Sequence, residues 1–492
     1  MADIDTSRDQ PTGAGRPAGR PNLTSGAIAP ALLMFALPTL GSNILQSLNG
    51  SINAIWVGRY LGEGALAATS NANLIMFLMY AAVFGFGMAA TILVGQSIGR
   101  GQVDGARRAL GTAIGLLVGG AFVIAAIGWI FAPQLLRLLA TPPAVQDLAL
   151  VYLRVIFLAM PAAFLTVLLM MGLRGTGDSL TPLWFMALST VLDSGLNPIL
   201  IAGAGPIPAM GIAGSATATL IANLVGMGAL LVTIYVRDLP IRLRGAEWRY
   251  LIPDPTLLRT ILAKGAPLGL QMIVVSVSGL VSIGLVNRLG LVTTAAYGVA
   301  LQLWTYIQMP ALAVGAAVSA MAAQNIGAGR WDRIGSITRA GILINLCLTG
   351  GMVVVTTLVD RAVLGLFLAN GSPAIAVAAH IHLIVGWSFV MFGITMVLFS
   401  TVRANGSVIA PLLILAVTLI PVRLGFAYGM MPRWGADAIW WSFPIGSAVS
   451  LVLAIGHYLR GSWRRGAMLV PAEASESALA SGEVAGRDCP TR

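Results

Sequence analysis

The sequence predicts an all-α integral membrane protein: twelve transmembrane helices, arranged as two parallel six-helix repeats. Three observations carry that expectation. Hydrophobic residues make up 57% of the chain and charged residues only 10%, against roughly 45–50% and 25% in soluble domains. Apolar runs of the length a helix needs to cross hydrocarbon, about 20 residues, recur twelve times between residues 30 and 460. The ten-residue alternation of a barrel strand is absent. Finally, sliding the chain on itself by 228 or 229 residues lays Pro38 on Pro267, Arg59 on Arg288 and Gly87 on Gly315. The same shift lays GQSIGRGQVD (95–104) on AQNIGAGRWD (323–332) and RGTGDSLTPL (174–183) on RANGSVIAPL (403–412). Six helices is an even number, so the two halves share one orientation and are related by an axis along the membrane normal.

The formal charge of +11 reflects topology rather than a nucleic-acid partner. With loops assigned alternately to two sides, one side receives 22 of the 29 Lys and Arg and the other five: Arg59, Arg137, Arg288, Arg361 and Arg433. Arg154 and Arg423 fall within spans. The positive-inside rule then puts both termini in the cytoplasm. Residues 1–27 are polar and lack the apolar core of a signal peptide, so the first helix is its own insertion signal. Cys347 and Cys489 give neither a disulfide framework nor a metal spacing.

Taken in order, residues 1–27 read as a disordered cytoplasmic tail. The first six-helix lobe covers 28–236. Its helix 1, from about Ala31 to Val57, carries Asn43, Gln46, Asn49 and Asn53 as one stripe. Such amides would be unsatisfied against lipid and should face other helices or a wet cavity. Helix 2, about Leu66 to Ile98, puts Asn73, Phe77, Tyr80 and Phe84 on one face and ends in a glycine-punctuated basic turn, residues 95–108. Helices 3 and 4 follow at about Ala109–Ala132 and Leu148–Leu173. In the next turn Asp178 stands beside Arg174 and reads as a solvated loop pair. Helix 6, about Met210 to Val236, aligns Ser215, Thr219 and Asn223. Residues 237–264 read as the basic cytoplasmic linker, with Trp248 and Tyr250 suited to the interface. The second lobe covers 265–463, and 464–492, rich in Ala, Ser and Glu, reads as a disordered cytoplasmic tail.

Helix 5 holds the chemistry. Asp193 lies at the centre of an apolar span, LSTVLDSGLNPIL at 188–200, where a carboxylate costs about 2.5–3.5 kcal/mol on insertion scales and marks an ion or substrate path. Ser189, Asp193 and Asn197 recur every four residues and share a face. Pro198 removes an amide hydrogen one position later. At an offset of 229, Val422 followed by Arg423 stands where the first half has Asp193, and Ser282 where it has Asn53, so ion coupling belongs to the first half. Enzyme signatures are missing: His380, His382 and His457 form no metal cluster, no phosphate-binding loop surrounds the single Lys264, and Asp147, Asp360 and Asp437 are far from one another in the sequence.

With these motifs in place, residues 30–460 resemble the multidrug and toxic compound extrusion (MATE) family, closest to its DNA-damage-inducible branch. The likeness rests on LPTLGSNILQSLNGSINAIWVGRYLGEGALAA (37–68), LRGTGDSLTP (173–182) and GIAGSATAT (211–219). The resemblance implies two lobes in a V around a central cavity, and export of amphipathic, often cationic drugs against inward protons or sodium. Two positions depart from the family pattern: Asn53 replaces an aspartate, and Asp193 with Asn197 exchanges the usual Asn-then-Asp order. Lower stoichiometry, sodium coupling and lost coupling all stay open.

The expected ion-coupling set is Asp193, Asn197, Asn53 and Thr219, and the expected substrate-binding set is Gln46, Asn73, Tyr80, Gln271 and Tyr306, lining one cavity with Asn53. No cofactor, metal or catalytic residue is expected. The expected partners are the lipid bilayer and small amphipathic drugs, for a monomer in a bacterial inner membrane. A second reading, a lipid-linked glycan flippase of the same superfamily, calls for a strongly basic cavity; only Arg154 and Arg423 approach the interior, at span ends where snorkelling accounts for them. A non-transporting membrane scaffold, or a membrane-embedded transferase, is the third.

Overall fold

The computed structural model describes residues 23–138, 143–203, 205–206, 208–360, 364–365, 372–466 and 468, with the side chains of 63, 66–67, 70–75, 78 and 143–144 outside that description. Nearly all of both expected tails, and the side chain of Asn73, therefore lie outside the described residues. Within them every regular element is helical, as hydrocarbon demands of a chain that must satisfy its own backbone.

A continuous run, Ile28–Gly99, breaks at Gly62, whose φ of 78° and ψ of −173° are open to glycine. It divides into α1 (Ile28–Gly62) and α2 (residues 63–99). The first lobe continues with α3 (Val103–Leu138), α4 (Pro143–Gly175), α5 (Leu180–Ala202) and α6 (Ile212–Val236). The second comprises α7 (Pro255–Asn287), α8 (Leu291–Gly327), α9 (Trp331–Leu358), α10 (Pro373–Val385 continued by Ser388–Ala404 across a 44° bend), α11 (Ile409–Trp434) and α12 (Asp437–Arg460). Two of these contain a π-helical turn, Leu346–Gly350 in α9 and Thr418–Leu424 in α11.

Hydrogen bonds gather the turns at one end. Asn325 Nδ2 donates to the Leu23 carbonyl at 2.7 Å, Arg333 Nη2 to Gly26 at 3.0 Å and Asn405 Nδ2 to Trp463 at 2.9 Å. This end carries the arginine-rich loops and is called the basic end below. One apolar core there is shared by both lobes, drawing Leu32 and Phe35 from α1, Leu93 from α2, Val318 from α8 and Val397 from α10. Towards the other end the core divides. Val57, Phe157 and Phe164 pack within the first lobe, and Leu285, Trp304 and Trp440 within the second. Two lobes joined at the basic end and separate beyond it make the V that the resemblance implied.

The seam at the basic end is reciprocal. Gln96 Nε2 of α2 donates to the Ala404 carbonyl at 2.7 Å, and Gln324 Nε2 of α8 donates to the Gly175 carbonyl at 2.9 Å. Gly99 lies hard against the backbone of Gln324, and Gly327 against that of Gln96, so that a Cβ on either would meet a carbonyl. Each contact thus occurs twice with the lobes exchanged, as a two-fold repeat requires.

The linker is shorter and firmer than its polarity suggests. Asp254 accepts from the amides of Thr256 and Leu257 and Pro255 takes the first helical position, so α7 begins there and not after 264. Upstream, Leu239 and Ile241 are buried, Arg107 pairs with Glu247 at 2.7 Å, and the Tyr250 hydroxyl donates to Asp104 at 2.6 Å. The basic loop is a strap across α3.

Candidate functional site

Asp193 sits in α5 with 3% of its surface exposed, and Asn197, one turn later, with none. Three helices converge on the carboxylate. Asn49 Nδ2 of α1 donates to Oδ2 at 3.0 Å, Thr219 Oγ1 of α6 donates to Oδ1 at 3.1 Å, and Asn197 Nδ2 reaches Oδ1 at 3.2 Å and the Asp193 carbonyl at 3.0 Å. Pro198 brings no amide hydrogen to the Ser194 carbonyl, which weakens the backbone ladder beside the acid. The shell is neutral: among the described residues no Arg, Lys or His pairs with Asp193. The Oδ1 atoms of Asn49 and Asn197 are buried without a donor. A carboxylate flanked by spare amide oxygens can accept a proton, or share a small cation with them.

The expected coupling set is largely gathered, with one exchange. Asn197 and Thr219 touch Asp193, whereas Asn53 stands one step away, its Oδ1 accepting from Ser215 at 2.8 Å, with Tyr152 of α4 beside it. Asn49 contacts the acid instead. It belonged to the stripe read from helix 1, and its place one turn before Asn53 was the available signal.

The substrate-binding set is not gathered. A cavity of about 400 Å³ lies between the lobes, and of the described members of that set only Gln46 lines it, with Thr39, Asn43 and Ser47 of α1. Gln271 is buried behind the wall, where it accepts from Arg403 Nη2 and donates to the Val408 carbonyl at 3.3 Å. Tyr80 is off the wall as well, 37% exposed with its ring 5.6 Å from that of Phe164. Tyr306 is half-buried and off the cavity wall, although its neighbour Thr305 is on it. Helical periodicity identified polar faces, but both lobes have an interior of their own, and polar faces turn into those as readily as into the space between.

The cavity's charge was misread from the sequence. Arg174 and Arg403, counted among loop residues, both line it, and among the described residues no Asp or Glu does. Asp178 is not paired with Arg174; it is 7% exposed and its carboxylate accepts from the amide and hydroxyl of Thr181 at 3.0 and 2.8 Å, fixing the start of α5. Arg423 does not snorkel. Its guanidinium lies 3.4 Å from the centroid of Phe443 and donates to Ser282 Oγ at 3.4 Å, inside the second lobe. Asp437 is not alone either, for His380 Nε2 lies 2.9 Å from it. No cluster of metal-binding side chains occurs among the described residues.

The MatE family model matches this chain twice, over residues 38–199 and 267–429. The probable multidrug resistance protein YoeA of Bacillus subtilis (strain 168) is 36% identical over 430 residues, 87% of this chain and 93% of that protein. The probable multidrug resistance protein YpnP of the same organism is 28% identical over 448 residues, 90% of this chain and 97% of its own length. Among solved structures, a crystal structure of MATE in complex with MaL6 has the same fold, with a TM-score of 0.80 at 21% identity over 90% of this chain and 97% of the other.

Proposed function

Because the chain belongs to the MatE family, we propose that it is a secondary active exporter that moves amphipathic small molecules out of a bacterial cell against an inward ion flow. Under the positive-inside rule the basic end faces the cytoplasm, and the cavity, sealed there by the Gln96 and Gln324 latches, is turned outward. Export then alternates between this arrangement and one opened at the latches.

The observation that carries the coupling assignment is the neutral shell around Asp193. One proton or one sodium ion makes this pocket electrically neutral. The proton is the better fit, since among the described residues no second carboxylate is at hand to strip a sodium ion of its water. Entry of the ion from outside and of cargo from inside favour different lobe arrangements, and the coupling is limited by that difference in affinity. Neutralisation also removes the charge that holds the amides of Asn49 and Asn197, on two different helices, to one carboxylate.

Asp193→Asn tests this directly. In proteoliposomes, and in an efflux-deficient host at matched expression, the variant should lose gradient-driven export while keeping its fold and its cargo binding. Full export by Asp193→Asn removes the residue from the mechanism. An imposed proton gradient without sodium, then the reverse, separates the two ions. Asp193→Asn with Asn197→Asp asks whether the helix face or the position matters, since Asn197 is buried on that same face.

A further inference from the structure

We propose that the central cavity binds the anionic group of its cargo between Arg174 and Arg403, so that the substrate class is amphipathic anions: carboxylates, sulfonates or phosphates on an apolar body. This is opposite in charge to the cationic compounds that the family resemblance implies. Arg174 closes the last turn of α4 and Arg403 that of α10, and both side chains line the one cavity from opposite lobes. They occupy the same place in the internal repeat, the Arg that begins RGTGDSLTPL and RANGSVIAPL. The residue after each, Gly175 or Ala404, is held by the latch glutamine of the other lobe, which fixes both arginines to the closed seam.

Their charges are uncompensated. Among the described residues the Arg174 side chain has no hydrogen-bond or ion-pair partner, and its Nε is buried without an acceptor. Arg403 is 5% exposed, donates through Nη2 to the Gln271 amide, lies 5.5 Å over the Phe399 ring, and also has a buried Nε with no acceptor. The buried acids of the first lobe, Asp178 and Asp193, are not on the wall. Two guanidinium groups without a carboxylate repel a cation in so poorly screened a space, and their planar forks suit a carboxylate, sulfonate or phosphate. The rest of the wall suits the body of such a molecule: Phe84 with Met88, Met171, Met309 and Met396, side chains that adapt to varied apolar shapes. A volume of about 400 Å³ falls within the range of small-molecule sites.

Naming the bound anion as cargo rests on the exporter reading; the binding assignment does not. The test uses fluorescein and rhodamine 6G, two dyes with one xanthene core and opposite charge, titrated by fluorescence anisotropy against the full chain in phosphatidylcholine nanodiscs. Fluorescein should bind tighter than rhodamine 6G. Arg174→Gln, which removes no hydrogen bond or ion pair among the described residues, should weaken fluorescein about tenfold or more, and Arg174→Lys should keep the preference for it. Arg403→Gln should act in the same direction. Repetition in discs containing phosphatidylglycerol identifies the source of the anion: competition shows a lipid headgroup in the cavity, unchanged binding a free solute, and the assignment of an anion site stands in both. Rhodamine 6G binding as tightly as fluorescein or tighter, or fluorescein binding that neither glutamine variant changes, overturns it. Gradient-driven efflux of rhodamine 6G alongside either result would leave the exporter reading intact while this one fails.

Discussion

Gly99→Ala should force the latched end of the molecule open. A Cβ there would stand 2.8 Å from the Gln324 carbonyl carbon and 2.9 Å from its Cα, and closer still to the oxygen. Carbon atoms rest at about 3.5–4.0 Å, so the lobes must part by at least about 0.7 Å along that contact. The same parting stretches the Gln96 and Gln324 bonds, now 2.7 and 2.9 Å, past the usual limit of about 3.2 Å. Leaving buried polar groups unpaired costs about 1–3 kcal/mol each. Two such losses disfavour the latched state by about 2–6 kcal/mol, or roughly thirtyfold at the low end, with tenfold for every 1.4 kcal/mol. Spin labels at Gln102→Cys and Ser336→Cys, both exposed at the basic end, one on each lobe, would read the change in a background of Cys347→Ser and Cys489→Ser. The distance distribution should lengthen and broaden for Gly99→Ala, and equally for Gly327→Ala. Gly119→Ala, with nothing within 4 Å of its Cβ position, should change nothing. Unaltered distances in both latch variants would refute the reciprocal seam.

Three further outcomes follow from contacts already described. Asn49→Ala removes a hydrogen bond to the Asp193 carboxylate, worth about 1.5–3 kcal/mol when one partner is charged, and should slow gradient-driven export at least about tenfold; Asn53→Ala, one step removed, should slow it less. Arg423→Met replaces a half-buried cation, with no acid partner among the described residues, by an apolar side chain of similar length, and should be neutral or raise the unfolding temperature measured in detergent. Arg107→Ala breaks the pair with Glu247 and the bond from Nε to the Pro240 carbonyl at 3.0 Å. It should release the strap, read as faster tryptic cleavage after Arg242 and Arg244.

Much of this architecture can be read without coordinates, because hydrocarbon allows few solutions. Span length, the polarity of loops and a repeat offset are properties of the chain itself. Asp193, Asn197 and Thr219 were legible for the same reason: a lone acid in an apolar span must find neutral polar neighbours, and spacing of four says which faces offer them. Asn49 and Asn53 share a face, and choosing between them needs the depth at which α1 passes α5, which one helix's sequence does not contain. Arg174 and Arg403 were visible as a repeated residue yet placed in loops; for Arg174, ending helix 4 at Leu173, two residues early, is enough to move the side chain from wall to solvent. Arg423 was expected to reach for the interface, as a long cation at a span end can. The aromatic ring of Phe443 and the hydroxyl of Ser282 hold it inside, and neither is near it in sequence.

The π turn in α11 contains the place in the second lobe that answers to Asp193. Counted from Pro38 and Pro267, where the repeat begins in step with the two family matches, the halves run 229 residues apart, and Pro182 still falls on Pro411. The matches end at 199 and 429, 230 apart. A π turn lets a helix take in an extra residue without moving its ends, and Thr418–Leu424 is such a turn. Val422 answers to Asp193 at an offset of 229, and inside the same turn the next residue is Arg423. It makes its hydrogen bond to Ser282, the counterpart of Asn53. The two lobe interiors therefore carry opposite charge at places one residue apart in the repeat. Deleting a single residue from the turn would rotate the cation off that face, with no charge removed from the chain.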